Sequence, residues 1–333
     1  MQNRWLGFLL VAIAAGCTVR LVSGIDGDAA AGGSVRVYFS ALNKEEKPVL
    51  GLTSADFELR IDGKIAPMIG FLPALPYADR SIPLVAWILI DFNPNLKEGA
   101  IRSQSEAAAS AFNLLHPDSR LGVKVVSDRS ETLAPLSHDP AALREALARY
   151  GERRVELRLG SQGDSVVVGD GGILRALEYA LDEMESFIAS QASLRDRQVR
   201  RAIMILSDGN LNPNYNLKTL YAKAARNGAF LYPVYYPRDR YGAWVMDYFK
   251  LAEKSAGVAS VFGALRPGSE ILPLPRAELG PNALNANFIH MARDLNGKYS
   301  FEVTPSSGRT ETKLKLKCKA KGVKIRLPRT IVP

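Results

Sequence analysis

Two short apolar runs most constrain what this chain can fold into: Val85-Ala-Trp-Ile-Leu-Ile-Asp91 and Ala202-Ile-Met-Ile-Leu-Ser-Asp208. Neither alternates polar with apolar, so each reads as a strand buried on both faces, the habit of parallel sheets covered by helices. Each run also ends on an aspartate. Ligands of open α/β sheets bind at the carboxyl ends of the strands, so the two carboxylates are expected on one rim.

The rest of the middle of the chain repeats the theme. Apolar strands at 84–90, 121–127, 202–206, 230–235 and 259–262 alternate with helical stretches at 97–115, 139–150, 172–191, 217–227, 245–256 and 284–296. This alternation predicts an α/β fold over 81–297, a doubly wound and mostly parallel sheet with helices on both faces. His138-Asp139-Pro140 marks a helix start, with Asp139 as cap and Pro140 in the first helical position.

Both flanks read differently. A strand pattern begins at Val35, and Phe57-Glu-Leu-Arg-Ile61 runs into Asp62-Gly63, a tight hairpin signal, so 35–80 is assigned a small accessory β module. At the other end, 298–333 returns to strand pattern and is a candidate to join that module. There Leu314, Leu316, Cys318 and Ala320 alternate with lysines, which predicts a strand with one solvated, charged face that resists edge-to-edge pairing. Contact of that strand with an anionic envelope polymer is an alternative use of the same charge.

Residues 1–16 read as a signal sequence: Arg4, then an apolar run from Trp5 to Ala15, too short to span a bilayer as a helix. Ala14-Ala15-Gly16-Cys17 resembles the lipobox of bacterial lipoproteins, which implies lipidation at Cys17 followed by a tether over 17–34. The expected location is the cell envelope, as an outer-membrane or periplasmic lipoprotein, with simple secretion as the alternative. Arg4 and the six lysines and two arginines after Thr312 account for the whole formal charge of +9. The basic character thus belongs to the tail, and no nucleic-acid partner is expected.

Catalytic signatures are missing from the sequence. It contains no G-x-S-x-G elbow and no H-E-x-x-H, and two cysteines with three scattered histidines make no zinc pattern. Gly169-Asp-Gly171-Gly172 precedes a helix, but a dinucleotide fingerprint would need glycine where Leu174 stands. The expectation is a protein that is not an enzyme.

Three segments resemble one family, the bacterial exported proteins with a von Willebrand factor A-type domain. Val49-Leu-Gly-Leu-Thr-Ser-Ala-Asp-Phe-Glu-Leu-Arg-Ile-Asp-Gly-Lys64 is similar to the family's leader. Asp91 and Asp208-Gly209 stand where the family has its strand-end aspartates, and Asn296-Gly-Lys-Tyr-Ser-Phe through Lys321-Gly-Val-Lys-Ile-Arg is similar to its final β segment. The likeness spans 35–333 and implies a von Willebrand factor A-like domain that binds a protein ligand through a metal-ion-dependent adhesion site.

Such a site holds Mg²⁺ or Mn²⁺, hard ions that want about six oxygen ligands. Residue by residue, the resemblance sets Asp91 and Asp208 at the two aspartates. Asn93 and Asn95 fall at two serine positions. Gly171 falls at a threonine, with Asp170 beside it as a substitute oxygen donor. These replacements imply a degenerate site, and a scaffold that has lost metal binding is the alternative reading. The aromatic and basic loop after the 230–235 strand offers Arg238, Arg240, Tyr241 and Trp244 as a partner-binding rim, being of the types enriched at interaction hot spots.

Overall fold

The computed structural model describes residues 34–45, 47–76, 79, 81–91, 115–127, 129–152, 165–167, 172–195, 197–207, 215–235, 244–255, 257, 259–261, 291, 294–304, 312–327 and 330–331. Chain order begins with β1 (Val35–Leu42), β2 (Phe57–Ile61), β3 (Lys64–Ala66) and β4 (Ile69–Leu72). The central part comprises β5 (Leu84–Asp91), β6 (Arg120–Val126), β7 (Arg129–Ser137), α1 (Pro140–Glu152), β8 (Ser165–Val167), α2 (Gly172–Ser190), α3 (Ala192–Arg195), β9 (Arg200–Ser207), α4 (Leu217–Arg226), β10 (Ala229–Tyr235), α5 (Trp244–Ser255) and β11 (Ser260–Val261). It closes with β12 (Lys298–Val303), β13 (Thr312–Cys318), β14 (Lys324–Arg326) and β15 (Thr330–Ile331).

The central sheet runs β11-β10-β9-β5-β6-β7-β8. Strands β6, β5, β9, β10 and β11 are parallel, while β7 and β8 are each antiparallel to the strand before them. This is the doubly wound, mostly parallel sheet that the apolar runs predict. Alternate side chains of β5 divide between two cores. Leu84, Ala86, Ile88 and Ile90 join Leu143 and Ala146 of α1 on one face. Val85, Trp87 and Leu89 join Leu174, Leu177, Ala180 and Leu181 of α2 on the other, with Leu220 of α4 and Leu251 of α5. Full burial on both sides is why the sequence here shows no period of two.

Local signals hold where they were read. Asp139 Oδ1 accepts from the amides of Ala141 at 2.8 Å and Ala142 at 3.1 Å, capping α1. Asp62 and Gly63 both have positive φ, 49° and 85°, the pair of left-handed residues that a tight β2–β3 hairpin needs. Gly122 of β6 lies opposite Trp87, and a Cβ there would run into the indole ring, so glycine lets the ring lie across the neighbouring strand. Strands β7 and β8 go beyond what the sequence pattern predicts. β7 is rich in polar residues and slips register twice against β6, which blurs the alternation that would have marked it.

Two more four-stranded sheets, β14-β1-β12-β4 and β15-β13-β2-β3, make a β sandwich from both ends of the chain. Val37, Phe39 and Phe301 of one sheet pack with Phe57, Leu59, Leu314 and Leu316 of the other. Tyr299 stacks on Phe39 with ring centres 5.3 Å apart. Cys318 is a half-buried free thiol beside this core. Tyr38 meets Phe230 of β10 edge to face at 5.1 Å, so the sandwich sits against the amino-terminal end of the central sheet. Among the described residues no helix is long and apolar enough to cross a membrane.

Candidate functional site

Leaving aside the edge strand β8 and numbering the other six strands of the central sheet in chain order, their spatial order is 3-2-1-4-5-6. The strand order reverses between the first and the fourth, the parallel neighbours β5 and β9. A crevice opens outside the carboxyl ends of two such strands because their loops leave in opposite directions. Asp91 ends β5 and Ser207 ends β9. Ser207 Oγ donates to Asp91 Oδ2 at 2.6 Å, a short bond of the kind a charged acceptor makes. Ser207 is fully buried and Asp91 half-buried, so the bond reaches from the sheet interior towards the rim.

Strand register aligns the neighbours. Asp91 pairs with Val126 of β6, and Ser207 with Tyr235 of β10, which pairs in turn with Val261 of β11. One row of strand ends therefore crosses the crevice. The loop read as aromatic and basic leaves this row at Tyr235 and re-enters described structure at Trp244, the first residue of α5.

Of the residues singled out in the sequence, the structure places Asp91 at the crevice. Asn93, Asn95, Asp170, Gly171, Asp208, Arg238, Arg240, Tyr241 and the proposed lipidation site Cys17 lie outside the described residues, as does the side chain of Trp244. Ser207 was missed. Its signal was its place as the last residue of a buried strand, immediately before Asp208. The two described histidines make local contacts: His116 Nδ1 accepts from the Asp118 amide at 2.9 Å, and His138 Nδ1 lies 3.0 Å from the Ser119 carbonyl oxygen, while His290 lies outside the described residues. Among the described residues no three His, Cys, Asp or Glu side chains gather as a metal cluster.

A second polar cluster, also unanticipated, lies where the sandwich meets the sheet. Asp294 receives the hydroxyl of Tyr232 at 2.8 Å and sits 2.7 Å from Lys298 Nζ. Lys298 also donates to Ser40 Oγ at 2.8 Å, and Arg326 approaches Asp294 at 3.9 Å. Arg200 donates to the side chain of Asn296, which holds the Asp79 carbonyl at 3.0 Å. Burial pushes the Lys298 ammonium below its usual range against the pull of Asp294. Burial likewise brings Arg200 down to about 10 and, with Asp294 beside it, raises the Tyr232 hydroxyl. Every member comes from an element at the sandwich–sheet seam, and the mutual satisfaction of these groups marks a structural joint.

No family profile matches the sequence, and no curated protein matches it. Solved structures do resemble the fold. A von Willebrand factor type A structure from Catenulispora acidiphila is 13% identical, with 92% of this chain and 74% of that one covered at a TM-score of 0.42. BatB from Bacteroides thetaiotaomicron, described as a conserved hypothetical protein, is 12% identical over 63% of this chain and 98% of its own, at a TM-score of 0.40. Proximal thread matrix protein 1 from the mussel byssus, described with a zinc-occupied MIDAS motif, is 10% identical, covering 71% and 50%, at 0.41.

Proposed function

We propose that this is a non-enzymatic protein of the cell envelope whose carboxyl-end rim binds another protein. The observation that carries the reading is the Asp91–Ser207 bond at the reversal point of the sheet, in line with the ends of β6, β10 and β11. That is where a doubly wound sheet offers a crevice, and the sequence that follows Tyr235 is rich in Arg and Tyr, residue types enriched at interaction hot spots. The adhesion site is degenerate: Asn93, Asn95 and Gly171 stand where the resemblance calls for hydroxyls, and Asp91 already accepts a hydrogen bond from Ser207. Recognition on this rim proceeds through side chains, with Mg²⁺ or Mn²⁺ dispensable.

The test is capture from envelope extract on immobilised full-length chain, followed by reconstitution with the purified partner. One protein should bind equally in EDTA and in Mg²⁺, and should bind at least ~10-fold more weakly to an Arg238→Glu/Arg240→Glu chain. If that variant and Asp91→Ala both keep full affinity while folded, the rim is not the binding site and the scaffold reading takes its place. The lipid anchor is checked separately by labelled palmitate, whose incorporation Cys17→Ala should abolish.

A further inference from the structure

The outer face of the β15-β13-β2-β3 sheet carries a row of exposed lysines on β13, with Glu58 of β2 opposite Lys317. On β13, Thr312, Leu314 and Leu316 are buried while Lys313, Lys315 and Lys317 are exposed, and Lys319 follows exposed. Register then decides what lies beside them. Lys315 is directly opposite Arg60 of β2, and Arg60 is directly opposite Ile65 of β3. One row across three strands therefore reads Lys–Arg–Ile, facing away from the sandwich core.

This row is costly for a surface that meets only water. Like charges directly across an antiparallel pair repel. Arg60 turns to Glu58 on its own strand, Nε to Oε1 at 2.8 Å, and that carboxyl is held low by Arg60, with Lys317 and Lys319 adding to the effect. Asp56 and Asp62, at the two ends of β2, accept backbone amides of Thr53 and Lys313. Ile65 is 70% exposed, on the last strand of the sheet. A soluble polyanion would engage the lysines and leave Ile65 without a partner. A bilayer surface offers phosphates and an acyl boundary together, and takes both kinds of side chain at once.

We propose that this face docks on an anionic phospholipid bilayer, with the lysines and Arg60 on headgroup phosphates and Ile65 at the acyl boundary. The inference is independent of the rim reading, since it concerns the opposite module and needs no protein partner.

The experiment titrates the full chain carrying Cys17→Ser, which has no acylation site, with vesicles of phosphatidylcholine alone or with about 30 mol % phosphatidylglycerol. Binding should require the anionic lipid and weaken steeply with salt, each lysine near the surface contributing roughly fivefold. Replacing Lys313, Lys315, Lys317 and Lys319 by Gln together should weaken it at least ~100-fold, and replacing all four by Arg should preserve it. Ile65→Ser should cost several-fold and leave the salt dependence as it was. These side chains are exposed, so the variants should keep the parent's melting temperature; the salt titration and Ile65→Ser remain decisive if the Gln variant does not. Any leader contribution is common to all variants. Equal binding to both vesicle types, or undiminished binding by a folded Gln variant, overturns the proposal. So does binding to dextran sulfate without binding to vesicles, which would assign the face to a polymer.

Discussion

Strand β9 touches two polar regions of opposite character, ~23 Å apart along its eight residues. At its start, Arg200 donates to Asn296 beside a buried joint in which Asp294, Lys298, Tyr232 and Ser40 satisfy one another. At its end, Ser207 donates to a half-buried carboxylate on the rim. Buried ion pairs are expensive to half-dismantle and add little net stability as a whole, whereas a rim contact can change at small cost to the fold. The contrast separates the end of the sheet that holds the molecule together from the end proposed to meet a partner.

The sharpest way to break that contrast is Asp294→Ala. It strands the buried Lys298 ammonium and should cost about 3–5 kcal/mol in urea unfolding, while an Asp294→Leu/Lys298→Met chain should lose much less. Equal losses in the two chains would show that the joint acts through packing alone. Tyr232→Phe removes one hydroxyl from the cluster and should cost about 1–2 kcal/mol by the same measurement. Asp91→Ala on the rim should cost only about 1 kcal/mol, through the loss of its hydrogen bond with Ser207, yet weaken partner capture.

Smaller effects refine the picture. The folded pKa of Lys298 is depressed below 10.5, chiefly by burial. Between that depressed value and 10.5 the unfolded chain holds more protons, so this residue makes stability rise with pH there. The raised hydroxyl pKa of Tyr232 works the other way above 10. A Lys298→Met chain should therefore show a flatter stability profile on the alkaline side below pH 10. Least of all, millimolar Mg²⁺, Mn²⁺ or EDTA should leave the melting temperature unmoved; a metal-dependent rise abolished by Asp91→Ala would restore an adhesion site to the rim.

How much of this could be read in advance follows from how local each feature is. The buried runs of β5 and β9 announced the sheet because full burial on two faces leaves an unmistakable apolar stretch. Asp139 and Asp62-Gly63 were legible because caps and turns are set by neighbouring residues. The antiparallel β7 was not, since Glu131, Thr132 and Pro135 sit in a strand whose register slips. The joint was invisible for a different reason. Ser40, Tyr232, Asp294 and Arg326 come from four distant segments, and pairing in three dimensions leaves no pattern in one. At the rim, Asp91 could be read from its place after an apolar strand, whereas Ser207 counted only once β5 and β9 were known to be neighbours.

The sandwich also sets a timetable. Arg36 of β1 bonds Glu302 of β12 across 266 positions of sequence, and β14, the other neighbour of β1, comes later still. A chain growing from its amino end makes β1 first and both of its partners last. The central sheet can close in the meantime, because β5 to β11 lie wholly between them. Val37, Phe39 and Ala41 must wait in the open until the final stretch arrives, exposed to wrong partners and to holding chaperones. Nascent chains stalled short of Lys298 should thus carry a finished sheet and an unfinished sandwich, with completion of the molecule as a late, separate step.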